Sequence, residues 1–372
     1  MIDRSKPDYV LFFVIMILVS FGLLMIYSAS AFIADANFKD STFFFKKQLI
    51  WIFISLPFLL LFMRVDYHKL KHLATPALFL SLLLLVAVLF FPPFKGVTRW
   101  IRLGPFGFQP TEVFKYSLIL FLAFSLARQK ERIRKFKHIL PYFLILLIAS
   151  ALIIKQPHLG SIFTLWIILI LMIFTAGGKI RHLLILTVPF LLIAGIMVLG
   201  LGYEKDRLEG FANSVKNPLE GDYQTKQSAL TLGSGGLLGA GLGEGKQKLF
   251  YLPEPHTDFI FATIGEEGGF LALLGVSLLF FLFGARGMSI ALKAPDISGF
   301  LLASGITSAI LIGFFINTMV VVGLLPTTGI PLPFLSYGGS SLLATLAGAG
   351  ILLNISKQRS YMKKNYRRIT RL

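Results

Sequence analysis

Apolar runs recur along almost the whole chain, and most of them are long enough to cross a lipid bilayer as α-helices. The hydrocarbon core of a bilayer is about 30 Å thick, so a helix needs about 20 apolar residues to cross it. Short polar or basic stretches separate the runs. The pattern predicts an all-α polytopic membrane protein, built as a single integral membrane domain over residues 1–372. About ten transmembrane helices are predicted, at 9–28, 45–63, 73–91, 112–127, 140–155, 161–177, 183–202, 259–285, 299–325 and 337–355.

One long hydrophilic segment, residues 203–258, interrupts this pattern between predicted helices seven and eight. Its first half is charged, and its second half contains the glycine-rich sequence LGSGGLLGAGLGEGKQ. The glycines match neither the GxGxxG pattern of a dinucleotide-binding turn nor the GK[ST] ending of a P-loop. Because glycine permits tight turns and close backbone approach, we expect this half to pack against a ligand or neighbouring helices.

The formal charge of +18 is concentrated on one side of the predicted membrane domain. With both termini on the same side, that side holds 22 Lys and Arg against 5 acidic residues, and the other side holds 14 against 13. Basic loops remain in the cytoplasm, so both termini, including the basic tail 356–372, are predicted to be cytoplasmic and segment 203–258 extracellular. Attraction to anionic membrane lipids explains the excess, so nucleic acid is not predicted as a partner.

Composition excludes further classes of protein. Hydrophobic residues make up 55% of the 372 residues, charged residues make up 15%, and the mean hydropathy is +0.77, which is not the composition of a soluble globular domain. The chain has no cysteine, which excludes disulfides and thiolate metal sites. Two of the six histidines, His68 and His72, stand four residues apart, but the other four are scattered along the chain, so no metal site is predicted.

The stretch LFYLPEPHTDFIFATIGEEGG, residues 249–269, places several ionisable groups at the boundary of a predicted membrane helix. An ionisable group at membrane depth is costly, and it is therefore a candidate for a functional site. Asp258 is the leading candidate among them. The alternative is that Asp258 caps the N-terminus of helix eight, since aspartate is a preferred capping residue. The residues alone leave both interpretations open. The ionisable set comprises Glu254, His256, Asp258, Glu266 and Glu267.

The predicted outer loop RWIRLGPFGFQPTEVFK contains several cations. The tendency of basic residues to remain in the cytoplasm does not explain cations on the outer side. Arg99, Arg102 and Lys115 suit the oxygens of a phosphate-bearing ligand. Glu112 and Lys115 are three residues apart on one helix face and are predicted to pair. The alternative for this loop is a structural ion pair with snorkelling arginines. Lys155, which emerges from the fifth apolar run at the next outer turn, is a further site candidate.

The segment GLLPTTGIPLPFLSYGGSS, residues 323–341, places three prolines and four glycines at membrane depth. Irregular backbone is tolerated there only where it is buried in protein or lines a wet cavity, so we expect it to form a wall of an outward-facing cavity. Asn317 and Thr318, within the apolar run before it, are interpreted as hydrogen-bonding residues between helices rather than as substrate contacts.

Five segments together resemble the SEDS family of cell-wall polymerases, in the right order over nearly the whole chain. The GLLPTTGIPLPF form is more similar to the division-type members (FtsW) than to the elongation-type members (RodA). The segments are RWIRLGPFGFQPTEVFK, QPHLG, YQTKQSALTLGSGGLLGAGLG, YLPEPHTDFIFATIGEEGG and LLPTTGIPLPFLSYGGSS.

The resemblance implies a multi-pass protein of the bacterial cytoplasmic (inner) membrane with peptidoglycan glycosyltransferase activity on lipid II. The family's essential acidic residue falls on Asp258, which is the expected catalytic base. No cofactor is certain, and a divalent cation (Mg²⁺ or Mn²⁺) with the pyrophosphate is left open. A single displacement would invert the anomeric centre and give a β-linked glycan. The expected substrate-binding residues are Arg99, Arg102, Glu112, Lys115, Lys155, His256, Ser336 and Ser340.

The resemblance also implies partners. These are lipid II and the nascent lipid-linked glycan, a class B penicillin-binding transpeptidase (FtsI-like), other divisome membrane proteins, and membrane lipids. Three alternatives remain open: a lipid II flippase, an elongation-type RodA polymerase, and a scaffold that recruits the transpeptidase. Substitution of Asp258 by Asn separates a polymerase from a flippase or a scaffold. A base is essential for polymerisation, while a flippase or scaffold should tolerate Asn at position 258.

Overall fold

The structure is a computed structural model that describes residues 6–93, 96–104, 106–185, 187–188, 195, 209–213, 222–249 and 251–358. Its described part is dominated by helices, with one short β-hairpin of strands β1 (Ile101–Leu103) and β2 (Phe106–Phe108). Single 3-10 turns lie at Tyr67–Leu70, Val88–Phe90 and Lys130–Arg134. The α-helices are α1 (Tyr9–Phe38), α2 (Phe43–Arg64), α3 (Lys71–Ala87), α4 (Pro110–Gln129), α5 (Phe136–Ile154), α6 (Leu159–Thr175), α7 (Tyr223–Ser234), α8 (Ile260–Leu292), α9 (Ile297–Val321) and α10 (Gly339–Gln358).

Eight helical segments of the described residues are long and apolar enough to cross a membrane. They are α1, α2, α3 with its flanking turns, α4, α5, α8, α9 and α10, and α6 is a shorter apolar helix. The prediction of a helical polytopic membrane protein is therefore confirmed. Predicted span 183–202 lies largely outside the described residues, as do the tail from 359 and much of segment 203–258. The count of ten spans and the position of the large loop remain predictions.

Some helices are longer than the predicted membrane spans, because the apolar sequence ends before the helix does. Helix α1 continues from the predicted end at residue 28 to Phe38, and it ends where Lys39 adopts a left-handed conformation with φ 57°. Helix α8 likewise continues past 285 to Leu292. Hydropathy marks where apolar sequence ends, whereas a helix continues through polar residues until a residue breaks it.

Helix α9 lies at the centre of the helical assembly. It packs against α4, α6, α8 and α10, and most of its residues are buried. Helix α10 packs along α2, and α1 packs against α8 and α2. Asn317 of α9 bonds to two segments and brings them together. One is the segment before α8, which contains Asp258, and the other is the irregular segment that follows α9.

Helix α8 is interrupted at Gly269, whose φ of 66° and ψ of −168° are not helical. In a continuous helix the amides of residues 270 and 271 would donate to the carbonyls of residues 266 and 267. Here Phe270 N donates to Gly236 O at 2.9 Å and Leu271 N donates to Leu237 O at 3.2 Å. The two carbonyls accept from the glycine-rich loop, residues 235–247, through Ala240 N at 2.9 Å and Gly241 N at 3.0 Å. The loop therefore supplies the hydrogen bonds that the break removes.

The same loop surrounds two buried carboxylates of α8. Glu266 Oε1 accepts from the amides of Lys246 at 2.6 Å and Gln247 at 2.9 Å. Glu267 Oε1 lies 2.6 Å from the Lys248 ammonium, and both side chains are buried. Buried charges persist only when paired and hydrogen-bonded, so these contacts hold the loop against the helix. The expectation that the glycine-rich half packs closely on a neighbouring helix is confirmed for its described residues.

A second polar cluster joins the turn after α2 to the start of α9. The Asp296 side chain caps α9 by accepting from Gly299 N at 2.7 Å, and it also accepts from the Tyr67 hydroxyl at 2.8 Å. Burial raises the pKa of the Asp296 carboxyl, but hydrogen bonds from Gly299, Ser298 and Tyr67 outweigh burial, so that the pKa lies below its ordinary value.

Two glycines of the loop provide a matched test of this packing. Both have positive φ, +82° at Gly239 and +87° at Gly243, but a Cβ on Gly239 would overlap the Glu267 carbonyl, whereas a Cβ on Gly243 meets nothing within 4 Å. We expect Gly239→Ala to lower the free energy of unfolding by about 1–3 kcal/mol more than Gly243→Ala, as for overpacked cores. Thermal denaturation in detergent measures the difference, and equal losses in the two variants would contradict the packing described.

Candidate functional site

Asp258 lies two residues before α8, in a half-buried position. The N-cap position of α8 is occupied by Phe259, whose side chain forms no capping hydrogen bond. Asp258 lies one residue before this N-cap position, and the two interpretations of Asp258 both remain predictions. The aspartate belongs to the irregular segment that leads into the helix.

Three successive backbone carbonyls fix the segment around Asp258. His256 O accepts from Tyr337 N at 2.9 Å, and Thr257 O accepts from the Ser336 hydroxyl at 2.6 Å. The carbonyl of Asp258 itself accepts from Asn317 Nδ2 at 2.8 Å. These donors come from α9 and from the irregular segment after it. The backbone of the aspartate is thus set by tertiary contacts and not by the helix that follows.

Asn317 joins both walls of the site. Its second Nδ2 hydrogen is donated to Ile330 O at 2.9 Å, so one amide group bridges the Asp258 backbone and the segment after α9. The side chain is buried, and Oδ1 finds no hydrogen-bond partner among the described residues. Two carbonyl neighbours fix which side of the amide is nitrogen. The interpretation of Asn317 as an inter-element hydrogen-bonding residue is confirmed, while Thr318 bonds only within its own helix, to Phe314 O.

Arg99 and Asp258 approach the same glycine. A Cβ built on Gly329 would lie 3.6 Å from Arg99 Nη1 and 3.7 Å from Asp258 Oδ2. Arg99 is oriented by a hydrogen bond from Nε to the Gln156 carbonyl at 2.9 Å. Gly329 has φ +69°, a conformation that other L-residues rarely adopt. The carboxylate of Asp258 and the guanidinium of Arg99 therefore both lie beside Gly329, where there is no side chain to separate them from the glycine backbone.

Two further predicted cations are sequence neighbours of residues at Arg99: Arg102 is close to Arg99 itself, and Lys155 is next to Gln156. Lys155 is exposed and directly precedes Gln156, whose carbonyl orients Arg99. Arg102 is also exposed and lies in β1, where it pairs with Gly107 of β2. Their predicted contacts with a phosphate-bearing substrate remain predictions.

The predicted pair of Glu112 and Lys115 is confirmed. Lys115 Nζ lies 2.8 Å from Glu112 Oε2, and both side chains are largely buried in α4. Ser341 of α10 donates to the same carboxylate oxygen at 3.1 Å. Both residues are held inside the helical assembly, which agrees with the alternative of a structural ion pair.

The pair lines a small internal cavity. The space open to the centre of a water molecule is about 20 Å³, enough for about one water. Helices α4, α6, α9 and α10 contribute to its lining, and Ile330, Pro331 and Pro333 form one wall. The irregular segment therefore forms a wall of a cavity, while the expectation that such a cavity faces outward remains a prediction.

Three of the predicted substrate-binding residues are buried and bonded to the protein itself. Ser336 bonds Thr257, as described, and its Oγ accepts from Leu332 N at 2.8 Å. Ser340 accepts from Gln109 N at 3.2 Å. His256 packs against the rings of Phe44, 4.4 Å between centroids, and Tyr337. The structure gives these three a positioning role, and their contact with substrate remains a prediction.

Sequence reasoning did not identify Gln156 as a residue of this site. Its buried side chain donates to Leu85 O at 3.2 Å, and its carbonyl orients Arg99. Two signals pointed to this turn: Lys155, the residue before Gln156, and the QPHLG segment. Among the residues that the structure describes, no group of three or more His, Asp or Glu side chains could hold a metal ion.

These features define a class: a polytopic helical membrane protein in which a half-buried carboxylate and an arginine lie beside the same glycine, with a buried ion pair lining a small cavity. Residues 8–361 match the family model of FtsW, RodA and SpoVE, described as "Cell cycle protein". The chain belongs to this family, and the recognised resemblance is confirmed.

Relatives in the same family match over nearly their full length. The "Probable peptidoglycan glycosyltransferase FtsW" of Trichlorobacter lovleyi is 44% identical over 95% of this chain and 93% of its own. The "Stage V sporulation protein E" of Bacillus subtilis is 41% identical over 96% of this chain and 99% of its own.

Solved structures share the fold. A chain from the structure titled "Structural coordination of polymerization and crosslinking by a peptidoglycan synthase complex" superposes with a TM-score of 0.77, at 29% identity, over 95% of this chain and 98% of that one. The RodA crystal structure from Thermus thermophilus gives a TM-score of 0.70, at 30% identity, over 95% and 97%.

The bridge formed by Asn317 can be tested without reference to any activity. Because the chain contains no cysteine, Arg99→Cys with Asp258→Cys gives a single reactive pair for a short bifunctional thiol reagent. Asn317→Leu leaves two buried carbonyls without donors, at a cost of about 1–3 kcal/mol each. We expect slower cross-linking in that background, because Asp258 and the Gly329 segment are no longer tied together.

Thr318→Val is the matched control for this measurement. Thr318 is adjacent to Asn317 but bonds only within its own helix, so its substitution should leave the cross-linking rate unchanged. Equal rates in the parent, Asn317→Leu and Thr318→Val backgrounds would show that Asn317 does not hold the two walls of the site together.

Proposed function

We propose that this protein is a peptidoglycan glycosyltransferase that polymerises lipid II into β-1,4 glycan strands during cell division. The observation that carries the proposal is the half-buried Asp258, whose backbone is fixed by Asn317 and whose carboxylate lies, like the guanidinium of Arg99, beside Gly329. Several relatives at 40–44% identity bear the name "Probable peptidoglycan glycosyltransferase FtsW", which supports both the activity and the division-type assignment.

The proposed reaction is a single displacement. The 4-hydroxyl of the acceptor sugar attacks the anomeric carbon of the donor, and the bond from that carbon to the pyrophosphate oxygen breaks. The hydroxyl proton passes to Asp258, which acts as general base. The anomeric centre inverts, so an α-linked donor gives a β-linked product. One carboxylate therefore suffices, and no second carboxylate is required as a nucleophile.

The departing pyrophosphate needs compensation of its negative charge. We assign this role to Arg99 beside Gly329 and to the exposed Arg102 and Lys155, because a positioned cation stabilises developing negative charge strongly in a water-poor site. The described residues do not form a protein-only metal site. A divalent cation acting here would take most of its ligands from the pyrophosphate oxygens, and the charge compensation proposed rests on the chain's own cations.

The buried ion pair of Glu112 and Lys115 suits a different role. The cavity that it lines accommodates about one water, which is too small for a sugar. We assign the pair to maintaining the polar interior below the reacting centre.

The protein is an integral membrane protein, and we propose that it lies in the bacterial cytoplasmic membrane with both termini in the cytoplasm. The basic residues gathered on one side support this orientation. We also propose a class B penicillin-binding transpeptidase as its partner, because the superposing complex is described as coordinating polymerisation with crosslinking.

Glycan synthesis by purified protein from lipid II, with the transpeptidase partner present, tests the proposal. We expect Asp258→Asn to reduce kcat by at least about 100-fold, since general bases contribute about 10²–10⁴-fold. Glu254→Gln is the matched control, because Glu254 is a half-buried carboxylate of the same segment, bonded to Thr257. Its substitution should leave kcat within a small factor of the parent.

Equal product from the parent and a folded Asp258→Asn variant would remove Asp258 from the chemistry. Absence of product from both proteins, combined with lipid II translocation in vesicles, would replace the polymerase by a flippase. Thermal denaturation of each variant in detergent establishes that a lost activity does not reflect a lost fold.

A further inference from the structure

Three leucines of the glycine-rich loop are unusually exposed. Leu237, Leu238 and Leu242 are 71%, 78% and 62% exposed. Exposure of a leucine side chain to water is unfavourable, and adjacent exposed apolar side chains mark a surface that contacts lipid or another molecule.

The hydrogen bonds of the loop place it beside a membrane span. Its carbonyls at 236 and 237 accept from Phe270 and Leu271, which begin the long apolar run of α8. Those two residues are about 15 Å along the helix axis from its start at Ile260, at 1.5 Å per residue. The leucine tip, formed by Leu237, Leu238 and Leu242, therefore lies level with the first turns of the apolar run, and not beyond the end of the helix.

The loop is chemically suited to this depth. Residues 235–243, GGLLGAGLG, carry no charge, and the first charged residue is Glu244. The amide of Gly239 donates to Gly235 O at 2.8 Å, and the amides at 240 and 241 donate to α8. Irregular backbone is stable at membrane depth only when such groups are satisfied by protein. The pairing with the broken helix meets that condition.

The neighbouring surface identifies the occupant. Phe270, Leu271 and Leu274 on α8 are 54%, 55% and 43% exposed, and they belong to a helix long and apolar enough to cross a membrane. The Leu237 carbonyl is bonded directly to Leu271. The leucine tip is thus continuous with a surface that faces hydrocarbon.

We propose that Leu237, Leu238 and Leu242 insert into the hydrocarbon of the bilayer leaflet on the Asp258 side. The glycine-rich loop is then a membrane-embedded segment that anchors the broken helix leading from Asp258, and not an aqueous loop. This inference does not depend on the enzymatic activity of the protein.

Spin labelling in lipid nanodiscs without any lipid-linked sugar tests the proposal. The cysteine-free chain allows single labels at Leu237→Cys, Leu238→Cys and Leu242→Cys. Molecular oxygen concentrates in hydrocarbon and a neutral nickel chelate stays in water, so power saturation separates the two environments. Phe281→Cys, on an exposed residue of α8, is the lipid reference. Lys46→Cys, a charged exposed residue at the start of α2, is the water reference.

We expect the oxygen-to-nickel collision ratio at each of the three leucines to be higher than at Lys46→Cys and to match the ratio at Phe281→Cys. A ratio equal to that at Lys46→Cys would place the leucines in water and overturn the proposal. Low collision rates with both reagents would show that protein covers the tip, from another part of the chain or a second copy, and would overturn it equally. Each exposed leucine tolerates cysteine sterically, and melting in detergent checks that each variant is folded.

Discussion

The need to satisfy every backbone hydrogen-bonding group in a medium without water governs this structure. Most of the chain meets it with continuous helices, but two described segments at membrane depth do not: the break at Gly269 and the irregular segment after α9. At the break, the glycine-rich loop supplies both donors and acceptors to α8. After α9, Asn317 and Ser336 connect the irregular backbone to the residues around Asp258. Each departure from helix is therefore matched by a specific tertiary contact.

These compensating contacts also build the site. A carboxylate on a helix would be positioned by that helix, whereas Asp258 is positioned by donors from two other elements. Its position is consequently sensitive to α9 and to the segment at 329–337, although neither contains Asp258. If Asp258 is the base that we propose, its fixed backbone and the nearby Arg99 guanidinium suit a reaction in which a proton is removed while negative charge develops on a leaving group. The geometry thus links the fold requirement to the proposed chemistry.

Much of this could be predicted from the sequence, because periodicity and hydropathy report directly on local structure. The helical membrane class, the pair of Glu112 and Lys115 at spacing i, i+3, and the bonding role of Asn317 followed from local rules. The identity of Asp258 as a special residue required the family resemblance, since the residues alone left a helix cap equally open. The exchange of hydrogen bonds between 236–241 and 266–271 could not be predicted. The exchange depends on Gly269, a non-helical glycine within an apolar run. It also depends on contacts between the glycine-rich loop and α8, and such contacts leave no periodic pattern in the sequence. Gln156 was missed for the same reason, because its contribution to the site is a backbone carbonyl.

The central claim is that Asp258, held by its backbone, meets the acceptor hydroxyl opposite the bound pyrophosphate. A structure of the protein in nanodiscs with lipid-linked donor and acceptor bound tests it most directly. The account predicts the acceptor hydroxyl about 2.6–3.2 Å from an Asp258 carboxylate oxygen, with pyrophosphate against Arg99 and the contacts from Asn317 and Ser336 intact. An acceptor hydroxyl held by another group, with Asp258 beyond the reach of even one bridging water, would contradict it.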